Sequence, residues 1–213
     1  MTDFIVQRWA DIAYRAYQHT SLVAQSALIA TIIAVALAVL VTRHPRLSGT
    51  ANMMSAVGLT IPSFALLGLL LPLVGIGVLP SVIAVTFYAI LPILRNAVVG
   101  LLGVPTQLVE SARGMGMGPV ATFARVQLPL AWPVILAGVR VSVQMSMGVA
   151  AIAAYALGPG LGGYIFTGLA QTGGANALNY ALVGTVGVII LALLFDAALV
   201  LVGRLTTSRG IRA

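Results

Sequence analysis

The sequence predicts an all-α integral membrane protein: five spanning helices, N-terminus outside and C-terminus in the cytoplasm. Three observations carry this. Of 213 residues, 60% are hydrophobic and 7% charged, where soluble domains carry roughly 25% charged residues. The mean hydropathy is +1.09. The charges are gathered in clusters separated by long uncharged stretches. No water-exposed surface can be covered with this composition, which excludes soluble enzymes, nucleic-acid modules and disordered tails. The basic excess, 11 Lys+Arg against 4 Asp+Glu, reports orientation across a bilayer and not affinity for nucleic acid. There is no cysteine, which excludes disulfides, thiolate metal sites and thiol nucleophiles.

Residues 1–19 form an extracellular segment. Within it, 4–19 mix Phe4, Ile5, Trp9, Tyr14 and Tyr17 with Arg8, Asp11 and Arg15, the pattern of a helix lying on the outer leaflet. A membrane domain is expected over 20–206. Ser21 to Thr42 is uncharged and spans roughly 33 Å as a helix, one bilayer crossing. It lacks the basic start and small-residue cleavage site of a signal peptide. Leu47 to Leu94 has no charged side chain, too long for one crossing and right for two, with a turn at Gly75–Pro80. Val141 to Phe195 is again uncharged and broken by glycines between Gly158 and Gly174, giving two more. The expected spans are about 21–42, 54–74, 80–100, 132–157 and 178–203. Arg43, Arg46, Arg95, Arg113, Arg125, Arg204, Arg209 and Arg212 place 43–53, 101–131 and the basic tail 207–213 in the cytoplasm. Pro62, Pro72 and Pro92 fall inside spans, where freed carbonyls need cover from protein or a watery cavity.

Gly158-Pro159-Gly160-Leu161-Gly162-Gly163 matches a dinucleotide fingerprint in form. No strand precedes it and no acid follows about 20 residues on, so it reads as a loop between spans. His19 and His44 fall on opposite sides of the membrane and read as interfacial residues. Arg140 lies nine residues into the fourth span and Asp196 eight residues before Arg204. Their depths match, and intramembrane charges pair, so a buried ion pair is expected between spans four and five.

The cytoplasmic loop 104–130 carries the sharpest signal. A short helix is expected after Pro105, a glycine break over 114–118, and a second short helix opened by Pro119. Small residues at 111, 112, 114 and 116 permit close approach by another protein. Val120, Phe123 and Ala124 would form one apolar face of the second helix.

These residues carry a family resemblance. Glu110-Ser111-Ala112, Gly116 six residues after the glutamate, and Val126-x-Leu128-Pro129 resemble the EAA loop of binding-protein-dependent ABC importer permeases. Ser111 replaces the middle Ala and Val126 the Ile of that pattern. Ile61-Pro62-Ser63, Leu91-Pro92-Ile93-Leu94-Arg95-Asn96, Arg113-Gly114-Met115-Gly116-Met117 and Gly160-Leu161-Gly162 are similar to the osmoprotectant branch (glycine betaine, choline, carnitine, proline betaine).

The resemblance implies a transport subunit in a prokaryotic cell membrane, not an enzyme. Its partners would be cytoplasmic ATPase subunits, an extracellular or periplasmic solute-binding protein, and a second permease subunit, itself or a paralogue, all within membrane lipid. The sequence has no phosphate loop, so ATP and Mg would be bound by the ATPase and no cofactor by this chain. Glu110, Ser111, Ala112, Gly114, Gly116, Phe123, Val126, Leu128 and Pro129 would form the ATPase-coupling segment. Phe87, Tyr88 and Tyr155 could line the path of a quaternary ammonium through cation–π attraction. An importer of another small solute, such as an amino acid, is the alternative. A secondary transporter would need inverted repeats or midplane acids, and Asp196 is the one acid within a span.

Overall fold

The computed structural model describes residues 1–207, without the side chains at 45–48 and 51. The tail 208–213, with Arg209 and Arg212, and the side chain of Arg46 lie outside the described residues. The described residues are helical: α1 (Thr2–Thr42), α2 (Pro45–Thr60), α3 (Ser63–Val74), α4 (Val78–Leu102), α5 (Thr106–Gly114), α6 (Pro119–Thr122), α7 (Leu128–Ala153), α8 (Gly162–Ala170) and α9 (Ala177–Thr206). A π-helical turn, Phe123–Gln127, joins α6 to α7, and a 3-10 turn, Ala154–Ala156, ends α7.

α1, α4, the run from Pro119 to Ala156, and α9 are each long and apolar enough to cross a membrane. The expected second span is different. Helical segments Asn52–Thr60 and Ser63–Val74 meet at 88°, so residues 54–74 do not form a straight crossing. The break falls at Ile61-Pro62, both with extended backbone. Proline cannot donate to the ladder and holds its predecessor out of the α region. Pro72 and Pro92 remain inside continuous helices, so of the three expected kinks the large one is at Pro62.

The expected segment 1–19 is helical and joins the first span directly. α1 runs without a break from Thr2 to Thr42, about 60 Å, twice the roughly 30 Å hydrocarbon core. The expected outer segment and the first span are therefore one continuous helix, longer than a single crossing. The chain between the last two spans, expected as a loop over 158–177, contains α8.

α4 and α7 form the centre of the bundle, with α1 laid against α4. Ala27, Ala30, Ala34 and Ala38 of α1 are buried in the core, a stripe of small side chains that brings backbones close without a hydrophobic driving force between helices. Ser142 of α7 donates to the carbonyl of Ala89 in α4 at 3.0 Å. α9 packs on α8 through two glycines. A Cβ at Gly168 would lie 2.6 Å from the Ala177 carbonyl, and one at Gly184 2.7 Å from Ile165. Most of α9 faces outward, with Gly184 its buried residue.

Candidate functional site

The loop 104–130 folds as two short helices around a tight turn. Pro105 precedes α5, Pro119 opens α6 at its first position, and Gly114 ends α5. The turn closes in a specific way. Gly116 has φ +85°; its N–H donates to the Arg113 carbonyl at 2.9 Å, and the Met117 N–H reaches back to the Ala112 carbonyl at 3.1 Å. This pair of bonds with a left-handed residue between them is the Schellman ending, which satisfies otherwise orphaned helix carbonyls. Glycine adopts that φ without a Cβ penalty, which explains its place six residues after Glu110.

Glu110, Ser111, Gly114 and Gly116 are exposed, while Ala112 is buried. The second helix departs from its expected form. It passes through the π turn straight into α7, so the tip and the spanning helix are one continuous run. The expected apolar face divides: Val120 is 77% exposed and Ala124 exposed, but Phe123 is half-buried against the chain's own core. The apolar side chains presented at the tip are Val120 and Met115, the latter 72% exposed. Val126 and Leu128 are half-buried, and Pro129 is exposed in the first turn of α7.

The structure brings Arg140 and Asp196 together. Arg140 Nε donates to Asp196 Oδ1 at 2.9 Å and Nη2 to Oδ2 at 3.0 Å. Gln144, one turn further along α7, donates to the same Oδ1 at 3.2 Å. The side chains are 40% and 26% exposed in the isolated chain, so the pair lies at the bundle's edge and is not fully buried.

Of the three aromatic residues expected on a path, Phe87 and Tyr88 are in contact and Tyr155 packs elsewhere. The Phe87 and Tyr88 rings meet edge to face at 5.3 Å, and the Tyr88 hydroxyl donates to the Ile61 carbonyl at 2.5 Å, so it serves the helix break. Tyr155 is exposed and meets Phe64 of α3 and Phe166 of α8 with tilted rings. His44 is exposed, and His19 is wholly buried beside Gly160.

One cluster was not anticipated from the sequence. Tyr164 of α8 donates to Asp11 Oδ2 at 2.7 Å, and Arg15 Nε donates to the same carboxylate at 3.0 Å. Arg15 also lies over the Tyr164 ring at 5.3 Å, and Arg8 over the Tyr180 ring at 5.0 Å. Phe4 meets Tyr180 edge to face at 4.9 Å. These contacts clamp the outer half of α1 onto α8 and α9. Burial, and then the bond to Asp11, push the Tyr164 hydroxyl up to about 12. Burial works to raise the Asp11 carboxyl, but the bonds from Tyr164 and Arg15 outweigh it and hold it below its ordinary value. The signal was present: Phe4, Arg8, Asp11 and Arg15 recur at one-turn spacing along one helix face.

The family described as binding-protein-dependent transport system inner membrane component matches residues 15–208. The choline transport system permease protein OpuBB of Bacillus subtilis (strain 168) is 36% identical over 212 residues, covering 100% of this chain and 96% of that one. The osmoprotectant import permease protein OsmW of Salmonella typhimurium is 38% identical over 206 residues, 94% of each. A permease-fold chain in an inward-facing structure of the MetNI methionine ABC transporter superposes with a TM-score of 0.76 at 23% identity, covering 92% of this chain and 96% of that one; this likeness concerns the fold. By a match over most of its length, the chain belongs to the inner-membrane permease components of binding-protein-dependent ABC importers.

Proposed function

We propose that this permease moves a quaternary-ammonium osmoprotectant of the choline and glycine betaine class. Glu110 to Pro129, within the coupling loop 104–130, is its docking segment for a cytoplasmic ATPase. The observation that carries the substrate is full-length similarity to permeases named for choline and for osmoprotectant import. The chemistry agrees. Asp196, the one acid within a span, is engaged by Arg140 and Gln144. A fixed cation without hydrogen-bond donors needs no carboxylate partner and is accommodated by aromatic faces.

Docking is supported by the exposed tip, Met115 and Val120 flanking the Gly116 turn, and by its covalent continuity with α7. A push on the tip reaches the bundle through one unbroken helical run, without a flexible joint. ATP-driven closure of two ATPases would thus rock two permease halves as rigid bodies and alternate their access. The second half is a copy of this chain or a paralogue, and a solute-binding protein delivers substrate at the outer face.

The test is uptake in vesicles holding the assembled importer with its binding protein. Radiolabelled choline or glycine betaine should enter with ATP, and methionine should not. Gly116→Val forces a β-branched residue to φ +85°, whereas Gly116→Asn tolerates positive φ. The Val variant and Val120→Asp should keep near-normal abundance but lose the ATPase subunits and uptake, and Gly116→Asn should retain both. Retention of the ATPase and wild-type uptake by Gly116→Val and Val120→Asp would refute docking. Entry of methionine alone would refute the substrate class, and proton-driven uptake without the ATPase would refute both.

A further inference from the structure

Two cavities lie side by side at the end of the bundle marked by Arg43 and Arg113. The first, about 470 Å³, is walled by the ends of α1 and α4 and by the docking segment, and is lined by Arg43, Glu110 and Arg113. The second, about 600 Å³, is an apolar groove along α1 from Thr31 to Leu40, bounded opposite by Leu128 and Trp132. Val39 and Phe123 line both, so a charged chamber and an apolar groove share a wall.

We propose that the two together hold one anionic phospholipid of the cytoplasmic leaflet. Its phosphate sits in the chamber and an acyl chain lies along α1. Three features fit this occupant. Thr31 to Leu40 covers about 13 Å along the helix, close to half of the roughly 30 Å hydrocarbon core, which is one leaflet. Two guanidinium groups against one carboxylate leave the chamber with a single net positive charge, complementary to a singly charged headgroup and indifferent to a zwitterionic one. Trp132 borders the groove with its indole N–H donating to Thr206 at 2.7 Å, the half-apolar, half-polar placement of an aromatic ring at headgroup level. Among the described residues, Arg43, Glu110 and Arg113 make no ion pair, so the guanidiniums are available to a phosphate. The site uses the fold of the coupling loop, and because it is tested on the permease alone its outcome is separate from that of ATPase docking.

Native mass spectrometry of the purified full-length permease tests this, with phosphatidylglycerol and phosphatidylcholine of identical chains offered in equal amounts. One net basic charge near a membrane surface predicts about a fivefold preference for phosphatidylglycerol. Arg43→Gln with Arg113→Gln should abolish the preference while leaving the groove. Ala36→Trp, which fills the groove from an exposed position on α1, should lower retention of both lipids. Soluble glycerol phosphate should not displace the bound lipid. Equal retention of the two lipids by the wild type overturns the proposal, as does a preference that survives the double Arg change. Unchanged retention in Ala36→Trp, displacement by glycerol phosphate, or a permease dimer that carries no lipid overturns it equally.

Discussion

Arg140 and Asp196, 56 positions apart in sequence, meet through two parallel hydrogen bonds at 2.9 and 3.0 Å, which locks α7 to α9 at one height. Such a fork pairs a planar guanidinium with a carboxylate in a fixed geometry. Removing one partner leaves a charge inside the membrane. The pair is partly exposed in the isolated chain, so its loss falls between the values for surface and buried bridges, about 2 kcal/mol. Asp196→Asn should lower the melting temperature in detergent more than Arg140→Met combined with Asp196→Leu, which removes both charges. Equal effects would mean that the pairing contributes nothing.

The Tyr88 hydroxyl ties α4 to the Ile61 carbonyl at the break between α2 and α3. Tyr88→Phe keeps the ring and its contact with Phe87 but leaves that carbonyl without this donor, a loss of about 1–2 kcal/mol. Thermal unfolding should show it, whereas Phe87→Leu should preserve the break. If Tyr88→Phe melts like wild type, the bond does not hold the bend.

The outer clamp predicts a pH dependence. The Asp11 carboxyl sits below its ordinary value, so its contribution is complete above the ordinary carboxylate range. It is lost as pH falls through the lowered value. Hydrogen exchange of residues 2–20 should be slow from neutral pH down to mildly acid conditions and quicken only below the usual carboxylate range. Tyr164→Phe should quicken it at neutral pH. An onset of exchange near pH 6 would contradict this account.

The sidedness rests on the arginines and is testable by single cysteines at exposed positions. Ile76→Cys and Gln171→Cys should react with an impermeant maleimide on intact cells, and Met115→Cys only after lysis. All three positions are exposed, so the substitutions disturb little packing. Labelling of Met115→Cys on intact cells would invert the arrangement.

Spans were legible because charge is too costly to place at random along a membrane helix. The uncharged stretch 47–94 required two passes, and Gly75 and Gly77, both at positive φ, turn the chain between them. Hydropathy is blind to direction, however, so the 88° break looked like one apolar stretch although Pro62 stood in it. α8, Gly162–Ala170, was hidden for another reason, because the glycines at its start and before it read as a loop. The equal depths of Arg140 and Asp196 could be counted from the charge pattern, but their exposure depends on how α9 packs, which no local signal encodes. Glu110, Gly116 and Pro119 located the turn of the docking segment. That Phe123 faces inward while Val120 does not depends on how α6 sits against the bundle, which spacing alone does not reveal.

The unbroken length of α1 has an evolutionary consequence. One rod carries Asp11 to Tyr164 at its outer end and the alanine stripe from Ala27 to Ala38 against α4 at its inner end. Each residue advances the helix by about 100°, so one residue inserted between these stations would swing Asp11 a quarter-turn or more off its partner. Seven residues, close to two full turns, would restore the angle but lift the clamp about 10 Å. The interval between Asp11 and Ala27 is thereby indexed like the teeth of a gear. Related chains should keep the count of this interval even where its exposed letters change.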